Sequence, residues 1–543
     1  MKTKNSFGIL SAFISLLMVS LFLNSGSAAG FLHTQGENIV DEHGQKIMLR
    51  GVGLGNWMLP EGYMWRFGDE GDRPRKMEKI ASDLIGPDNA AKFWQEFRKQ
   101  YITQKDIQRI AQLGFNSVRP ALNARLFLSE GENPVYQDEG FELLDNLIKW
   151  CKQSGVYVII DMHGAPGGQT GQNIDDSIND EPRLFMNPTN QDRLVALWVK
   201  IATRYKDEPT VAAYDLLNEP LPERTGAAAK YKNELEPLYK RITQAIRTVD
   251  KKHMITVEGV NWANDWSVFS TPFDSNLVYQ FHYYCWDNPT KLKGIHEYLD
   301  YRKRLGAPVW VGETGEKDVA IYWGTTDYFE ANNIGWSFWP WKKMDTHNTP
   351  YSIKSPKNWD AIRAYSRKEG ADKPAPEIAQ EAFNELLQNI QLANCKFFPD
   401  VVNALFRRVP GKVEAENYGQ EGLDHSYSVK DPKQKSKFYR TTESVLVELV
   451  EPGQTIRLNA GEWTSYVINS LEAKIYTLTV RAKAENATAV FEISVNGISQ
   501  EITADDKGWV EFKLKPVNMA SGANQVKLSV KNGAAGFDWM EFR

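Results

Sequence analysis

From about residue 46 to residue 366, short apolar runs alternate with longer stretches in which apolar residues recur three and four positions apart. The runs are too short for helices and the longer stretches carry the helical period, so the pattern reads strand, helix, strand, helix. Eight strands are predicted, at 47–52, 117–119, 157–162, 212–217, 254–257, 277–282, 309–312 and 334–339, with helical segments at 103–113, 141–153, 193–205, 231–249 and 291–305. Eight such units without a break predict an α/β fold, a closed (β/α)8 TIM barrel. Ahead of it, residues 36–49 hold two short alternating runs joined by Asp41-Glu42-His43-Gly44, a predicted hairpin over the barrel floor.

A helical stretch is expected from Pro376 to about Leu405. After it the texture changes to short alternating strands with Gly, Asn and Asp turns through Arg543, the signature of a smaller all-β sandwich. Arg408-Val409-Pro410-Gly411 punctuates the switch, which sets the expected division at 30–408 for the barrel with its helical extension and 409–543 for the sandwich. Residues 1–29 carry Lys2 and Lys4, an apolar stretch from Phe7 to Leu23, and Ser27-Ala28-Ala29. They fit a signal peptide cleaved after Ala29, hence a secreted, periplasmic or cell-surface protein with no membrane segment after cleavage. An uncleaved anchor is the other reading, although Ser and Gly break the apolar stretch near the lower length limit for a span.

A chain of 543 residues, 42% hydrophobic, has material for two cores. Its formal net charge of −5 argues against nucleic acid or an anionic membrane as partner and favours a neutral one. Cys151, Cys285 and Cys395 are too widely spaced to define a disulfide framework or a metal site. A monomer is expected. With 17 Trp and 22 Tyr, most rings should pack in cores, and some should stack on the apolar faces of sugar rings.

Glu219 and Glu313 each follow a predicted strand, at the barrel rim where chemistry sits. Glycoside hydrolysis needs two carboxyl groups facing each other across one bond, and only the fold can bring this pair together. A lone glutamate at a strand end is usually a cap, so the other strand ends matter: Arg119, His163, Asn218, His282, Tyr284 and Trp339. Arg119, His163, Asn218-Glu219-Pro220, His282-Tyr283-Tyr284, Glu313 and Trp339 together resemble glycoside hydrolase family 5, the retaining β-glycanases, over roughly residues 31–370. The resemblance implies Glu219 as general acid/base and Glu313 as nucleophile in a double displacement that needs no cofactor. Arg119 and the Tyr284 hydroxyl are then expected to lower the Glu313 pKa, and burial with the field of Glu313 to raise that of Glu219. His282 would hold the Glu219 carboxyl, Asn218 would bond the sugar 2-hydroxyl, and Trp339 would floor the sugar.

The loops 50–57 and 161–169 resemble the branch containing exo-β-1,3-glucanases and related bacterial glucanases, which implies a β-glucan polysaccharide or oligosaccharide as substrate. The second loop lacks the lysine of a phosphate cradle. The segment from Trp57 to Gly62 and the insert around Tyr63, Trp65 and Arg66 depart from the fungal pattern, leaving exo or endo action and β-1,3 or β-1,4 linkage open. Another β-glycan, such as mannan or a glycolipid glycan, or a non-catalytic glycan-binding barrel, are the rival readings. Trp65, Trp286, Trp323 and Trp341 are candidate sugar platforms; Asp175 and Asp176 are candidate hydroxyl ligands or plain loop acids.

Val413-Glu414-Ala415-Glu416-Asn417-Tyr418, Glu462-Trp463-Thr464-Ser465-Tyr466 and Gly536-Phe537-Asp538-Trp539-Met540-Glu541-Phe542 resemble carbohydrate-binding modules of family 6. That resemblance implies a structural calcium on Glu414, Glu416 and Asp538, oxygen ligands drawn from both ends of the domain. Gly536 stands where sugar-binding members carry asparagine. Binding through another face, recognition of a different glycan, and a purely structural role all stay open.

Overall fold

The eight apolar runs pair side by side in chain order. In a computed structural model that describes residues 30–543, except 224–225, 285–291, 368–371, 437–438, 451–452, 486 and 506–507, they close a barrel. The expected signal peptide, Cys285 and Trp286 lie outside the described residues. Two short strands, β1 (His33–Gln35) and β2 (Asn38–Val40), precede the barrel strands β3 (Arg50–Leu54), β4 (Ser117–Asn123), β5 (Tyr157–Gly164), β6 (Val211–Asp215), β7 (Met254–Glu258), β8 (Leu277–Tyr283), β9 (Val309–Gly315) and β10 (Gly335–Trp339). Each is parallel to the next, and β10 returns to β3. Strands covered on both faces need apolar residues on both, which is why these read as unbroken apolar runs.

Around the barrel run α1 (Pro74–Ile85), α2 (Pro87–Tyr101) and α3 (Gln104–Gln112) after β3, α4 (Asp138–Ser154) after β4, α5 (Arg183–Met186) and α6 (Pro188–Tyr205) after β5, α7 (Ala227–Arg247) after β6, α8 (His296–Leu305) after β8 and α9 (Val319–Ala331) after β9. The sequence reading had no helix where α1 and α2 stand. Each opens with a proline at its first position, and Gly86, at φ +81°, joins them. They pack with the helix Pro376–Asn389 around Trp65, whose ring contacts Phe93, Trp94, Phe97 and Trp359. Trp65 is therefore core, not a sugar platform. Trp323 is buried in α9, and Trp341 is buried with its Nε1 donating to Asp106 at 3.0 Å, so neither of these serves as a platform.

The floor is sealed as expected, with one shift. The first hairpin turn falls between β1 and β2, and the turn from Asp41 to Gln45 brings Ile47 back to bond the Ile39 carbonyl at 3.0 Å. Ile39 and Ile47 cover a cluster of Leu32, Leu49, Ile159, Met254, Val278 and Trp310.

The expected helical stretch after residue 376 is interrupted. Helices Pro376–Asn389 and Pro399–Leu405 flank a short strand, Lys396–Phe397, that pairs with Tyr351–Ile353. The C-terminal region is two six-stranded, mostly antiparallel sheets packed face to face. Their inner faces alternate into the core through residues such as Ile456, Leu458, Phe491, Ile493, Leu528 and Phe537. The junction is packed: Phe406 contacts Phe115 and Trp336, Arg407 pairs with Glu330 and Asp327, and Arg408–Val409 joins the sandwich strand Trp463–Ser470. Asn417 and Tyr439 of the sandwich rest against Gly324 of α9. No helix among the described residues is long and apolar enough to cross a membrane.

Candidate active site

The barrel brings all eight candidate residues to its C-terminal rim. Arg119, wholly buried on β4, is the hub: Nε donates to Asp215 at 2.8 Å, Nη1 to Glu313 at 2.6 Å, and Nη2 to Asn218 at 2.8 Å and Glu258 at 3.1 Å. The second Glu313 oxygen accepts from the Tyr284 hydroxyl at 2.7 Å. Glu219 sits just past β6 at φ +42°, with its Oε1 2.6 Å from Nδ1 of His282. One carboxylate oxygen of Glu219 and one of Glu313 lie within 4.8 Å of each other.

Burial pushes the Glu313 carboxyl above the ordinary carboxylate value. The charges of His282 and Arg119 pull it back without cancelling that cost, and Glu219 pushes it up further. The lowering expected from Arg119 is present, and desolvation outweighs it. Burial alone would lower the pKa of His282; the charges of Glu258, Glu313 and Glu219 override it and raise it well above normal. With its charge favoured by these carboxylates, His282 Nδ1 is a donor to Glu219. His163 is the opposite case, since burial lowers it to about 4 and leaves it neutral. Its Nδ1 lies 2.7 Å from Asp161, and its Nε2 faces Nδ2 of Asn218 at 3.3 Å. Asn218, held at both amide ends by His163 and Arg119, is fixed in orientation.

Three buried acids at this centre were not singled out in the sequence: Asp161 on β5, Asp215 on β6 and Glu258 on β7. Burial raises Asp161 to about 7 and Asp215 to about 6, against the pull of Arg119. Glu258 binds most widely. One oxygen accepts the backbone N–H of Glu219 at 2.6 Å; the other accepts from Gln280 at 2.8 Å and Arg119 at 3.1 Å. His282 Nε2 lies 3.3 Å from that second oxygen, an ion-pair distance without hydrogen-bond alignment. The only sign of these acids in the sequence is a carboxylate at or near the end of each of three successive apolar strands.

Above the two glutamates is a cavity of about 710 Å³. Trp339 and His163 stack at its base with ring centroids 5.2 Å apart. Glycine at 53 and 55 is required there, since a Cβ would stand 2.3 and 2.4 Å from the Trp339 ring. Glu61, Tyr63 and Glu316 form one wall; Tyr63 accepts from Trp339 Nε1 at 3.1 Å and donates to Glu316 at 3.2 Å. Asp175 and Asp176 do not line this cavity. Asp175 binds Thr170 and Ser177 within its own loop, and Asp176 binds Arg75, Arg125 and Asn123, so both are structural.

Glu414, Glu416 and Asp538 line a separate cavity of about 230 Å³ between the sandwich and α9. Burial raises Glu414 to about 7 and lifts Glu416 well above its usual value, and Glu416 Oε2 is buried without a partner. Those two residues fit a cation. Asp538 is instead paired with Arg481, and would have to leave that guanidinium to join them.

Known proteins resemble this chain in sequence and fold. A β-xylosidase from Phanerodontia chrysosporium is 26% identical over 427 residues, 70% of this chain and 87% of that protein. Endoglucanase C from Acetivibrio thermocellus is 30% identical over 315 residues, 47% of this chain and 88% of that protein. A crystal structure of a Saccharophagus degradans β-glucanase in complex with cellotetraose covers 67% of this chain and 96% of its own, at 17% identity and a TM-score of 0.41. The family model described as Cellulase (glycosyl hydrolase family 5) matches residues 83–366, more than half of the chain. The chain belongs to glycosyl hydrolase family 5 and is a glycoside hydrolase.

Proposed function

We propose that the protein is an exported, retaining β-glycosidase that hydrolyses β-glucan through β-1,3 or β-1,4 linkages. The observation that carries the reading is that one oxygen of Glu219 lies within 4.8 Å of one oxygen of Glu313, a closest approach on the scale of the shorter of two known separations. Retaining enzymes hold their carboxyl groups about 5–5.5 Å apart, whereas inverting ones leave about 6.5–9.5 Å for a water. Relatives named endoglucanase, glucan 1,3-β-glucosidase and β-xylosidase support a β-linked substrate.

Glu313 attacks the anomeric carbon as the glycosidic C–O bond breaks, and Glu219 gives its proton to the departing oxygen. Glu219 then takes a proton from water, whose oxygen attacks the same carbon and displaces Glu313. His282 aims the Glu219 carboxyl, while Arg119 and Tyr284 aim that of Glu313. Asn218 meets the sugar 2-hydroxyl, and Trp339 with its glycine backing floors the ring. In the sandwich, Glu414 and Glu416 are the residues that would hold a structural calcium, joined by Asp538 once freed from Arg481.

The test is the anomeric form of the first product, followed by proton NMR during cleavage of soluble β-1,3- and β-1,4-glucan oligosaccharides, with a β-xyloside in parallel. The β anomer is expected first, and the α anomer would refute the mechanism. Cleavage of the xyloside alone would move the substrate away from glucan. N-terminal sequencing of exported protein should begin at Gly30.

A further inference from the structure

The loop after β7 holds a feature that no step above uses. Asn261, Trp262 and Ala263 follow one another at φ +57°, +62° and +67°, a region that side chains other than glycine rarely adopt. The turn is closed by Val260 and Asp265, each donating its N–H to the other's carbonyl at 3.1 and 2.9 Å, and Ala263 is fully buried at its centre. It is also tied to the loop that carries Glu219. Asn261 N–H donates to the Leu221 carbonyl at 3.1 Å, and Glu223 N–H to Asn261 Oδ1 at 3.2 Å. Strain of this kind persists only where the surroundings impose it, and it clusters at ligand sites. Here it keeps Trp262, partly exposed, in the wall of the active cavity.

The two ends of that cavity differ in chemistry. On the side of Glu313 stand Glu61, Tyr63 and Glu316, acceptors suited to a ring rich in hydroxyls. Trp262, by contrast, follows Asn261, which is bonded to the loop that carries Glu219, and Ile174, Asn264 and Tyr298 line the same cavity. The Tyr298 hydroxyl is engaged by Asn264, donating to its carbonyl at 3.0 Å. A general acid delivers its proton to the departing oxygen, so the leaving group lies on the acid's side. We infer that Trp262 is the platform of the leaving-group subsite: the substrate's non-reducing end lies toward Glu61, Tyr63 and Glu316, and a flat-faced leaving group, pyranose or aryl, stacks on the indole. This rests on Glu219 being the acid/base.

The test compares Trp262→Gly, which removes the ring and relieves the left-handed position, with Trp262→Phe, which keeps a ring. The substrates are β-1,3- and β-1,4-linked glucose pentasaccharides and an aryl β-glucoside. In parallel, each variant is inactivated with 2-deoxy-2-fluoro-β-glucosyl fluoride, whose leaving group is a single atom that cannot reach Trp262. Trp262→Gly is expected to lower kcat/KM on the pentasaccharides by roughly tenfold, the worth of one aromatic stacking contact. Trp262→Phe should restore most of it, and inactivation by the fluoride should run at the wild-type rate in both. An unchanged kcat/KM in Trp262→Gly on the pentasaccharides and the aryl glucoside alike would overturn the assignment, as would an equal loss in the fluoride reaction, which is what a distorted site would give. A loss on the pentasaccharides identifies a sugar as the natural occupant, and a loss confined to the aryl glucoside identifies an aryl group. A wild-type enzyme that cleaves β-glucosides but is not labelled on Glu313 would refute the double displacement itself, separately from the subsite.

Discussion

Replacing Glu258 by glutamine keeps the shape of the side chain and removes one acceptor from the middle of the buried network. Three donors converge on the carboxylate, from Glu219 N–H, Gln280 and Arg119, and the His282 imidazolium stands 3.3 Å away. An amide oxygen turned to Glu219 sets the new NH2 against Gln280 and Arg119; turned the other way, it sets that NH2 against the Glu219 N–H. Either orientation leaves buried donors facing each other. Removing one partner of a buried ion pair costs about 3–5 kcal/mol, and that is the expected loss of stability. Catalysis should suffer through a different route. His282 is faced by Glu219, Glu258 and Glu313, and the charge of Glu258 is the largest of the influences that raise its pKa. Without that charge His282 loses its proton at lower pH and ceases to hold Glu219, so the alkaline limb of kcat/KM moves to lower pH. A fall of about 100-fold in kcat is expected on unactivated substrates, the lower end of what general acid catalysis supplies. A dinitrophenyl glycoside, whose leaving group needs no proton, should lose much less. Rate profiles across pH, read beside urea unfolding of the same variant, decide the matter. A Glu258→Gln enzyme with the wild-type alkaline limb and wild-type kcat would refute the argument, whatever its stability.

Glu313→Gln should abolish hydrolysis while circular dichroism still reports the folded barrel; residual turnover near the wild-type rate would remove Glu313 from the mechanism. Gly53→Ala places a methyl 2.3 Å from the Trp339 ring and should cost about 1–3 kcal/mol by overpacking, with a raised KM as the ring shifts; an unchanged KM would show that the ring does not set the sugar's height. The folded-state pKa of Glu414 is raised to about 7 from an unfolded value near 4.3, so the folded sandwich binds the extra proton in that window and its stability falls as pH rises through it. Calorimetry in EDTA should therefore show the sandwich melting lower at about pH 8 than at about pH 5, with calcium reversing the loss; a higher melting point at pH 8 in EDTA, or no effect of calcium there, would count against the cation site.

The barrel was legible because its strands are covered on both faces and so read as apolar runs, each ending in a polar residue at the rim. The eight site residues followed from that, since they occupy successive strand ends. Glu258 escaped notice for the same reason: it closes the run Met254–Glu258 and looks like any strand-end cap until the fold aims it at Arg119. Tryptophans were read less well. Trp65 and Trp341 sit in what the sequence shows as loop, and only the packing of α1, α2 and the helix Pro376–Asn389 reveals that these loops are interior. Trp262 carried no periodic signal at all, because its placement depends on three consecutive left-handed residues that no propensity scale anticipates. A list of neighbours shows the cation that lowers the Glu313 pKa but not the depth of burial that outweighs it.

The junction between the halves bears on how such a protein can evolve. Glu330 of α9 accepts from Arg50 at the start of the first barrel strand and from Arg407 just before the sandwich, and its Oε1 also takes the Trp336 indole N–H. Phe406 closes the same spot against Phe115 and Trp336. Appended domains that are traded between enzymes by recombination hang on linkers whose loss exposes nothing. Here a cut before residue 406 would uncover Phe115 and Trp336 in the barrel wall and take one of two arginines from the carboxylate of Glu330, leaving it Arg50 and the Trp336 indole. Whatever the sandwich contacts is presented at one fixed orientation to the cleft rather than swept through space on a tether.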